Sequence, residues 1–388
     1  MPIYNPECEG MKSPLGISAK KPRFSFETDK AISWYRVIVF FEGKTIYTGR
    51  KTNKNIAYIE YKGEPLKEKT RYEWLIEARF KDGTVEKSEL QFFETGILKK
   101  SSFKGSFITF PGKRCCYENH VPAPLFKKQF EISKKVKSAR LYISGLGFYD
   151  LYLNNKRLNA SELTPYMTQY DKKIYYDTYD ITESIKSKNA ISVILGNGLL
   201  NAFAGGTWDL DKAPWASKPV LWAMLDIIYT NGITETISTD KSWLWTKSPV
   251  IFDEYRCGEY FDKRLDNIKF YEYSDDNNGF EPAIYAKNIK GEFTASVSPK
   301  INLIRYLEPK LLKKCEDGSF LYDFGENTTG VPEINIIGES GQTVTMYFGE
   351  SLDENGNFSQ KAIEYFQKSG YHQKDIYILS GNGVETWF

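Results

Sequence analysis

The chain has 388 residues, enough for two or three domains at about 100–200 residues each, and a 41% apolar share that can fill their cores. Its 52 Lys and Arg balance 50 Asp and Glu to a net charge of +2 with no basic block, so the electrostatic footprint of a nucleic-acid binder is missing. With 27 Tyr, 25 Phe and 8 Trp, the composition favours pleated, half-buried surfaces over Ala- and Leu-rich helices.

The N-terminus, "MPIYNPECEGMKSPLG", has no apolar h-region, and no run of about 18 apolar residues follows it, so neither a signal peptide nor a membrane span is expected and the cytoplasm is the expected location. From Pro22 to Gly96 short alternating runs ("SWYRVIVFFEGKTIYTG", "IAYIEYKG", "RYEWLIEARFKDG", "SELQFFETG") are punctuated by Glu-Gly-Lys, Lys-Gly-Glu and Asp-Gly. About seven strands in this span predict a fibronectin type III or immunoglobulin-like sandwich over 1–98, the kind of module that usually serves as a spacer.

A Ser-, Gly-, Lys- and Pro-rich linker leads to a second, larger antiparallel sandwich of jelly-roll type, 99–290, with turns at Asn154-Asn155 and Asn231-Gly232. In "GFYDLYLNNKRL" the period of two puts Tyr149, Leu151 and Leu153 on a buried face opposite Asp150 and Tyr152. Helical periodicity is confined to "ITESIKSK", where Thr182 is a candidate cap for a single turn. The third part, 291–388, is strand-poor for a complete sandwich. It closes on "LSGNGVETWF", where Ile376 and Ile378 before the Ser-Gly-Asn-Gly turn and Val384, Thr386 and Trp387 after it predict a β-hairpin. An aromatic strand at the chain end predicts a partner surface, and an isolated chain prone to edge pairing. The fold class is therefore all-β: tandem antiparallel sandwiches, the third partial.

Five scattered cysteines (Cys8, Cys115, Cys116, Cys257, Cys315) without CxxC spacing predict neither a disulfide framework nor a zinc site. The two histidines, His120 and His372, lie in no catalytic motif. Carboxylates in "YDFGENTTG" (Asp323, Glu326) and "FGESLDENG" (Glu350, Asp353, Glu354) read as solvated turn residues rather than a facing hydrolytic pair, so no catalytic residue is expected. The irregular stretch Gly196 to Pro219, "GNGLLNAFAGGTWDLDKAPWASKP", is different. It offers Trp208 and Trp215 for stacking on a sugar ring, and Asn197, Asn201, Asp209 and Asp211 for its hydroxyls. The same tryptophans could plug a sandwich edge or pack against another domain. Asp209 and Asp211 in "DLD" are a weak calcium candidate without the rest of a loop, and no cofactor or metal is otherwise expected.

"SARLYISGLGFYDLYLNNKRLNASELTPYMTQYDKKIYYDTYDITESIKSKNAISVILGNG" and "SWLWTKSPVIFDEYRCGEYFDKR" resemble the N-terminal β-sandwich region of bacterial α-L-rhamnosidases. "YDFGENTTGVPEINIIGESGQTVTMYFGESLDENGNF" and "DIYILSGNGVETWF" are similar to the next β domain of that family. The resemblance implies a glycoside hydrolase whose catalytic carboxylates sit in an (α/α)6 barrel following these domains, a barrel for which this sequence has no helical pattern. It also implies rhamnose-containing glycans and the absent catalytic domain of the same polypeptide as partners, and sandwiches that in some members hold L-rhamnose with the help of calcium. A stand-alone lectin and a purely structural scaffold are the alternatives. No nucleic-acid or membrane partner is expected.

Overall fold

The computed structural model describes residues 3–52, 58–159, 161–205, 208–365, 367–368 and 370–388. Its first unit is an immunoglobulin-like sandwich. A three-stranded sheet (Tyr4–Cys8, Arg23–Glu27, Ile59–Glu60) faces a five-stranded one in the order Lys44–Lys51, Ile32–Phe41, Arg71–Phe80, Val85–Lys87, with Gln91–Glu94 also on Arg71–Phe80. The expected "IAYIEYKG" strand is described only from its third residue, since Ile56 and Ala57 lie outside the described residues. Alternation drives the packing: Tyr72, Trp74, Ile76, Ala78 and Phe80 bury against Phe24, Val37, Val39 and Phe93. Each large side chain so buried contributes about 1.5–3 kcal/mol.

The second unit is a jelly-roll-like sandwich of two sheets. One runs Lys156–Arg157, Tyr149–Leu153, Lys188–Leu195, Pro124–Glu131, Leu244–Lys247, Glu281–Pro282. The other runs Ile284–Tyr285, Ile108–Thr109, Val220–Tyr229, Val136–Leu146, Lys173–Asp180, Glu292–Ala295. Tyr149, Leu151 and Leu153 are buried between them as the alternation predicts, and the Asn154-Asn155 turn has the left-handed backbone (φ +51° and +66°) of a tight hairpin. At "ITESIKSK" a single 3-10 turn forms over Thr182–Ser184. Thr182 does not cap it. Its Oγ1 and backbone N–H both donate to Asp180 Oδ1, and Oγ1 also accepts from Ala139 N.

The first unit is docked rather than tethered. Arg140 of the second unit forks onto Glu94 of the first at 2.7 and 2.9 Å and reaches Asp180 at 2.8 Å, and Lys69 pairs with Asp226 at 2.6 Å. Gly16, at φ +74°, lies so close to Thr178 that a Cβ would stand 2.0 Å from its Oγ1. Tyr176 OH accepts from Ile97 N at 3.0 Å, which fixes the residue that leads out of the module.

Strand pairing crosses the expected 290/291 boundary twice. Glu292–Ala295 runs parallel to Lys173–Asp180 inside the second sandwich. In the other direction, the hairpin Val250–Glu254/Gly258–Asp262 leaves the second unit to join Lys374–Ile378 and Thr343–Tyr347 in a four-stranded sheet. Gly258, at φ +95°, permits this: a Cβ there would stand 2.1 Å from Lys374 O.

The closing hairpin does not form. Lys374–Ile378 pairs with Gly258–Asp262 and Thr343–Tyr347, whereas Glu385–Trp387 pairs with Ile334–Ile336. Glu385 diverts the chain between them: its carboxylate accepts from Ser380 N and Oγ, Gly381 N and Tyr377 OH, holding the turn while Trp387 stacks on Tyr377 at 5.3 Å.

Two outcomes follow from these contacts. Arg140→Ala leaves the buried Glu94 carboxylate, among the described residues, with Arg71 as its one cation, at 3.6 Å, and should cost about 2–4 kcal/mol, with the first unit melting separately from the second in calorimetry. Burial by itself would raise the pKa of Glu385, but its hydrogen-bond donors hold it down at about 2, below an unfolded value near 4.3. Its contribution is therefore present above about pH 4.5 and lost as pH falls toward 2. Glu385→Gln should flatten that acid limb by about 1–2 kcal/mol in urea titrations repeated across the window.

Candidate functional site

The loop Gly196 to Pro219 leaves the end of strand Lys188–Leu195 and is pinned from below by an acid. Asp253 accepts from Asn197 N at 2.5 Å and from Asn197 Nδ2 at 2.9 Å. Asn201 Nδ2 then donates to Asn197 Oδ1 at 2.8 Å and to Cys115 O at 3.0 Å. Asn197 and Asn201 are both buried, so their amides hold the loop to its sandwich.

The other sequence candidates diverge. Trp208 is 60% exposed with the Arg256 guanidinium over its ring at 4.7 Å. Trp215 is half-buried against Leu146, Tyr170, Ile174, Leu200 and Val220. Asp209, in the left-handed region at φ +45°, pairs with Lys212 at 3.0 Å. Asp211 turns inward and pairs through Oδ2 with Lys368 at 2.8 Å, an attraction that lowers its pKa. The structure thus brings Asn197 and Asn201 together and gives Trp208, Asp209, Asp211 and Trp215 separate surroundings. Among the described residues no group of three or more His, Cys, Asp or Glu could hold a metal ion.

Asp211 opens onto a cavity of about 170 Å³ where the second unit meets the third. Arg114, Cys115, Cys116, Tyr117 and Glu118 line it from the linker, Phe203 and Asp211 from the loop, and Lys368 from the third unit. Arg114 Nη2 donates to Asp211 O at 3.1 Å, Lys368 N to Ala204 O at 2.7 Å, and Tyr371 meets Tyr117 edge-on at 4.1 Å. Cys115 and Cys116 are free thiols, and His120 donates to or accepts from Tyr371 OH at 3.3 Å. Arg114, Glu118 and Lys368 carry no local sequence signal. They come from a linker and a polar stretch far apart in the chain.

Beside the cavity, the two sheets meet over a set of acids. Glu259 faces Asp150, Asp253 and Asp375, with Arg157 as the nearby cation, and its backbone N–H donates to Asp375 Oδ1 at 2.8 Å. Burial first and the three carboxylates second push Glu259 up to about 8, while burial raises Asp253 to about 6 against the pull of Asn197. The turn carboxylates of the third unit are local instead. Asp323 accepts from Gly325 N, Asp353 from Asn355 N and Asn357 N, and Glu326 pairs with Arg305.

Three family descriptions match along this chain. Residues 3–99 match the Rha78A-like, N-terminal immunoglobulin domain, residues 134–305 the alpha-L-rhamnosidase N-terminal domain, and residues 313–388 the bacterial alpha-L-rhamnosidase concanavalin-like domain. The chain belongs to the bacterial α-L-rhamnosidase family. Alpha-L-rhamnosidases of Formosa agariphila and Alteromonas sp. (strain LOR) are each 27% identical, over 97% and 98% of this chain but 43% of their own length. The structure of the alpha-L-rhamnosidase from Dictyoglumus thermophilum superposes with a TM-score of 0.85 at 28% identity, over 100% of this chain and 45% of that one. The Streptomyces avermitilis alpha-L-rhamnosidase complexed with L-rhamnose shares the fold at a TM-score of 0.87 and 19% identity, over 100% of this chain and 54% of its own. This rhamnosidase-family chain therefore spans less than half the length of those curated relatives and corresponds to their N-terminal part.

The acid set makes a pH prediction. The folded pKa of Glu259 is raised above an unfolded value near 4.3, so the native state loses stability through it as pH climbs from about 4.5 through 8. Glu259→Gln should therefore gain on the wild type across that window, by about 1–3 kcal/mol at its upper end, and the gain should level off beyond it in denaturant melts at stepped pH.

Proposed function

We propose that this chain is the non-catalytic front part of a glycoside hydrolase that cleaves terminal α-L-rhamnosides, where it positions a catalytic domain of the same polypeptide and assists recognition of rhamnose-containing glycans. The observation that carries this reading is the match to three successive N-terminal domains of α-L-rhamnosidases over a span that is 43% of the curated relatives' length.

The surface of the third unit supports the positioning role. Leu311, Leu312, Phe320 and Tyr322 are exposed on the two-stranded ribbon Lys310–Lys314/Phe320–Asp323, and Leu303, Ile304, Tyr306, Val331 and Ile337, Ile304 at 92%, are exposed in irregular segments of the same unit. Bare apolar area on this scale marks a docking surface. The carboxylates Asp323, Glu326 and Asp353, engaged in turns and an ion pair, support a non-catalytic assignment for this part.

The full product of the encoding gene provides the test. It should hydrolyse an aryl α-L-rhamnoside, and the 388-residue chain alone should turn over none. A full product inactive on α-L-rhamnosides, or turnover by this chain alone, would sink the reading.

A further inference from the structure

We propose that docking of the first unit controls the strand through which the chain enters the third unit, so that the immunoglobulin-like module is a brace for the third unit rather than a spacer. The coupling runs through Ser18 and Tyr176 and holds whatever reaction the full polypeptide performs.

The entry strand is weakly held by its own sheet. Glu292–Ala295 has four residues and pairs on one side, parallel to Lys173–Asp180 at the edge of the second sandwich. Strands usually run to about five or six residues, and parallel pairing is the less stable kind per residue. On the paired side Glu292 N donates to Lys172 O and Ser296 N to Tyr176 O, both at 2.9 Å. Ala295 N points the other way, to the open edge. An edge N–H normally meets water, but Ala295 is buried and its N–H depends on a protein acceptor.

The first unit supplies that acceptor. Ser18 Oγ accepts from Ala295 N at 2.7 Å and shares a hydrogen bond with Tyr176 OH at 3.3 Å. Tyr176 OH in turn accepts from Ile97 N, at the exit of the first unit. Two hydroxyls therefore join the entry strand, the second sandwich and two distant segments of the first unit. The join is close: a Cβ on Gly96 would stand 2.5 Å from Tyr176 OH and 2.3 Å from Gly16 O.

The apolar layer is shared in the same way. Ile97, Tyr176 and Ala295 bury in one cluster with Tyr142, Trp222 and Met224. Phe293 of the entry strand stacks on Phe103 at 4.7 Å and on Phe107 at 5.3 Å, both residues of the linker that leaves the first unit. If the first unit lifts, Ala295 N loses its acceptor and the aromatic platform under Phe293 loses its anchored end. Leaving a buried donor unpaired is the costly direction for a hydrogen bond. Just downstream, Lys300 pairs with the buried Asp177 and Glu162 N donates to Ile301 O at 3.0 Å, so the entry strand is the first of the holds that carry the chain toward the third unit.

Hydrogen exchange read by mass spectrometry on the 388-residue chain tests the coupling. In the wild type under rising urea, the peptides covering Ser18, Ile97 and residues 292–296 should open together, a reading that depends on no variant folding. Arg140→Ala and Lys69→Met remove docking contacts made on Val136–Leu146 and Val220–Tyr229, strands separated from the entry strand by Lys173–Asp180. Each should speed exchange of 292–296 by about tenfold, the equivalent of about 1.4 kcal/mol, and Ser18→Ala added to Arg140→Ala should speed it little further. Coupling is reciprocal, so unseating the strand from its own side should speed exchange at Ile97. Gly291→Val does this, because a Cβ there would stand 2.4 Å from Tyr170 O. The proposal is overturned if Arg140→Ala frees the first-unit interface while 292–296 keeps its wild-type rate, if Gly291→Val frees the strand while Ile97 stays protected, or if the two regions of the wild type open at separate urea concentrations.

Discussion

The parallel pairing of Gly258–Asp262 with Lys374–Ile378 is the constraint on which the rest of this molecule depends. It takes a hairpin whose first arm continues directly from the second sandwich and makes it one half of a four-stranded sheet shared with the third unit. Parallel strands need a long connection between them, and here residues 263 to 373 form it, first returning to the second sandwich through Glu281–Pro282, Ile284–Tyr285 and Glu292–Ala295 and then building most of the third unit. The pairing requires a residue without a side chain at Gly258, where the backbone of Lys374 approaches.

Much of the local chemistry follows from that seam. With Lys374 fixed against Cys257 by a 3.1 Å backbone hydrogen bond, the preceding residues Lys368 and Tyr371 are delivered onto the loop of the second unit. Lys368 meets Asp211 and Tyr371 meets Tyr117, which closes the cavity. The same seam gathers Asp150, Asp253, Glu259 and Asp375 from four strands, and burial then favours the neutral forms of Asp253, Glu259 and Asp375. A polar junction of this kind fixes the relative placement of two units more specifically than an apolar face could, because its partners are directional.

The other junction uses a different device. Between the first and second units the contact is a forked Arg140–Glu94 pair with glycine packing at Gly16, an arrangement that leaves little freedom for a swinging spacer. The three units therefore behave as a braced frame at both seams. The exposed apolar side chains of the third unit, Leu311, Phe320 and Tyr322 among them, lie on the ribbon Lys310–Lys314/Phe320–Asp323.

The sequence by itself determined the all-β class, the three-part order and the inward faces of individual strands, because a period of two is a local property that each strand carries on its own. Tyr149, Leu151 and Leu153 were legible for that reason, as was the Asn154-Asn155 turn, whose residue types tolerate a left-handed backbone. Which strand lies beside which is not local. The closing segment reads as a hairpin from its Gly-Asn-Gly turn, yet Glu385 gathers the turn's donors and sends its two arms to different sheets. The candidate site divides in the same way. Loop length and composition drew attention to Asn197, Asn201 and Asp211, but only the fold assigned the two amides to the interior and set Asp211 beside Arg114 and Lys368, residues brought together by strand pairing across more than 250 positions.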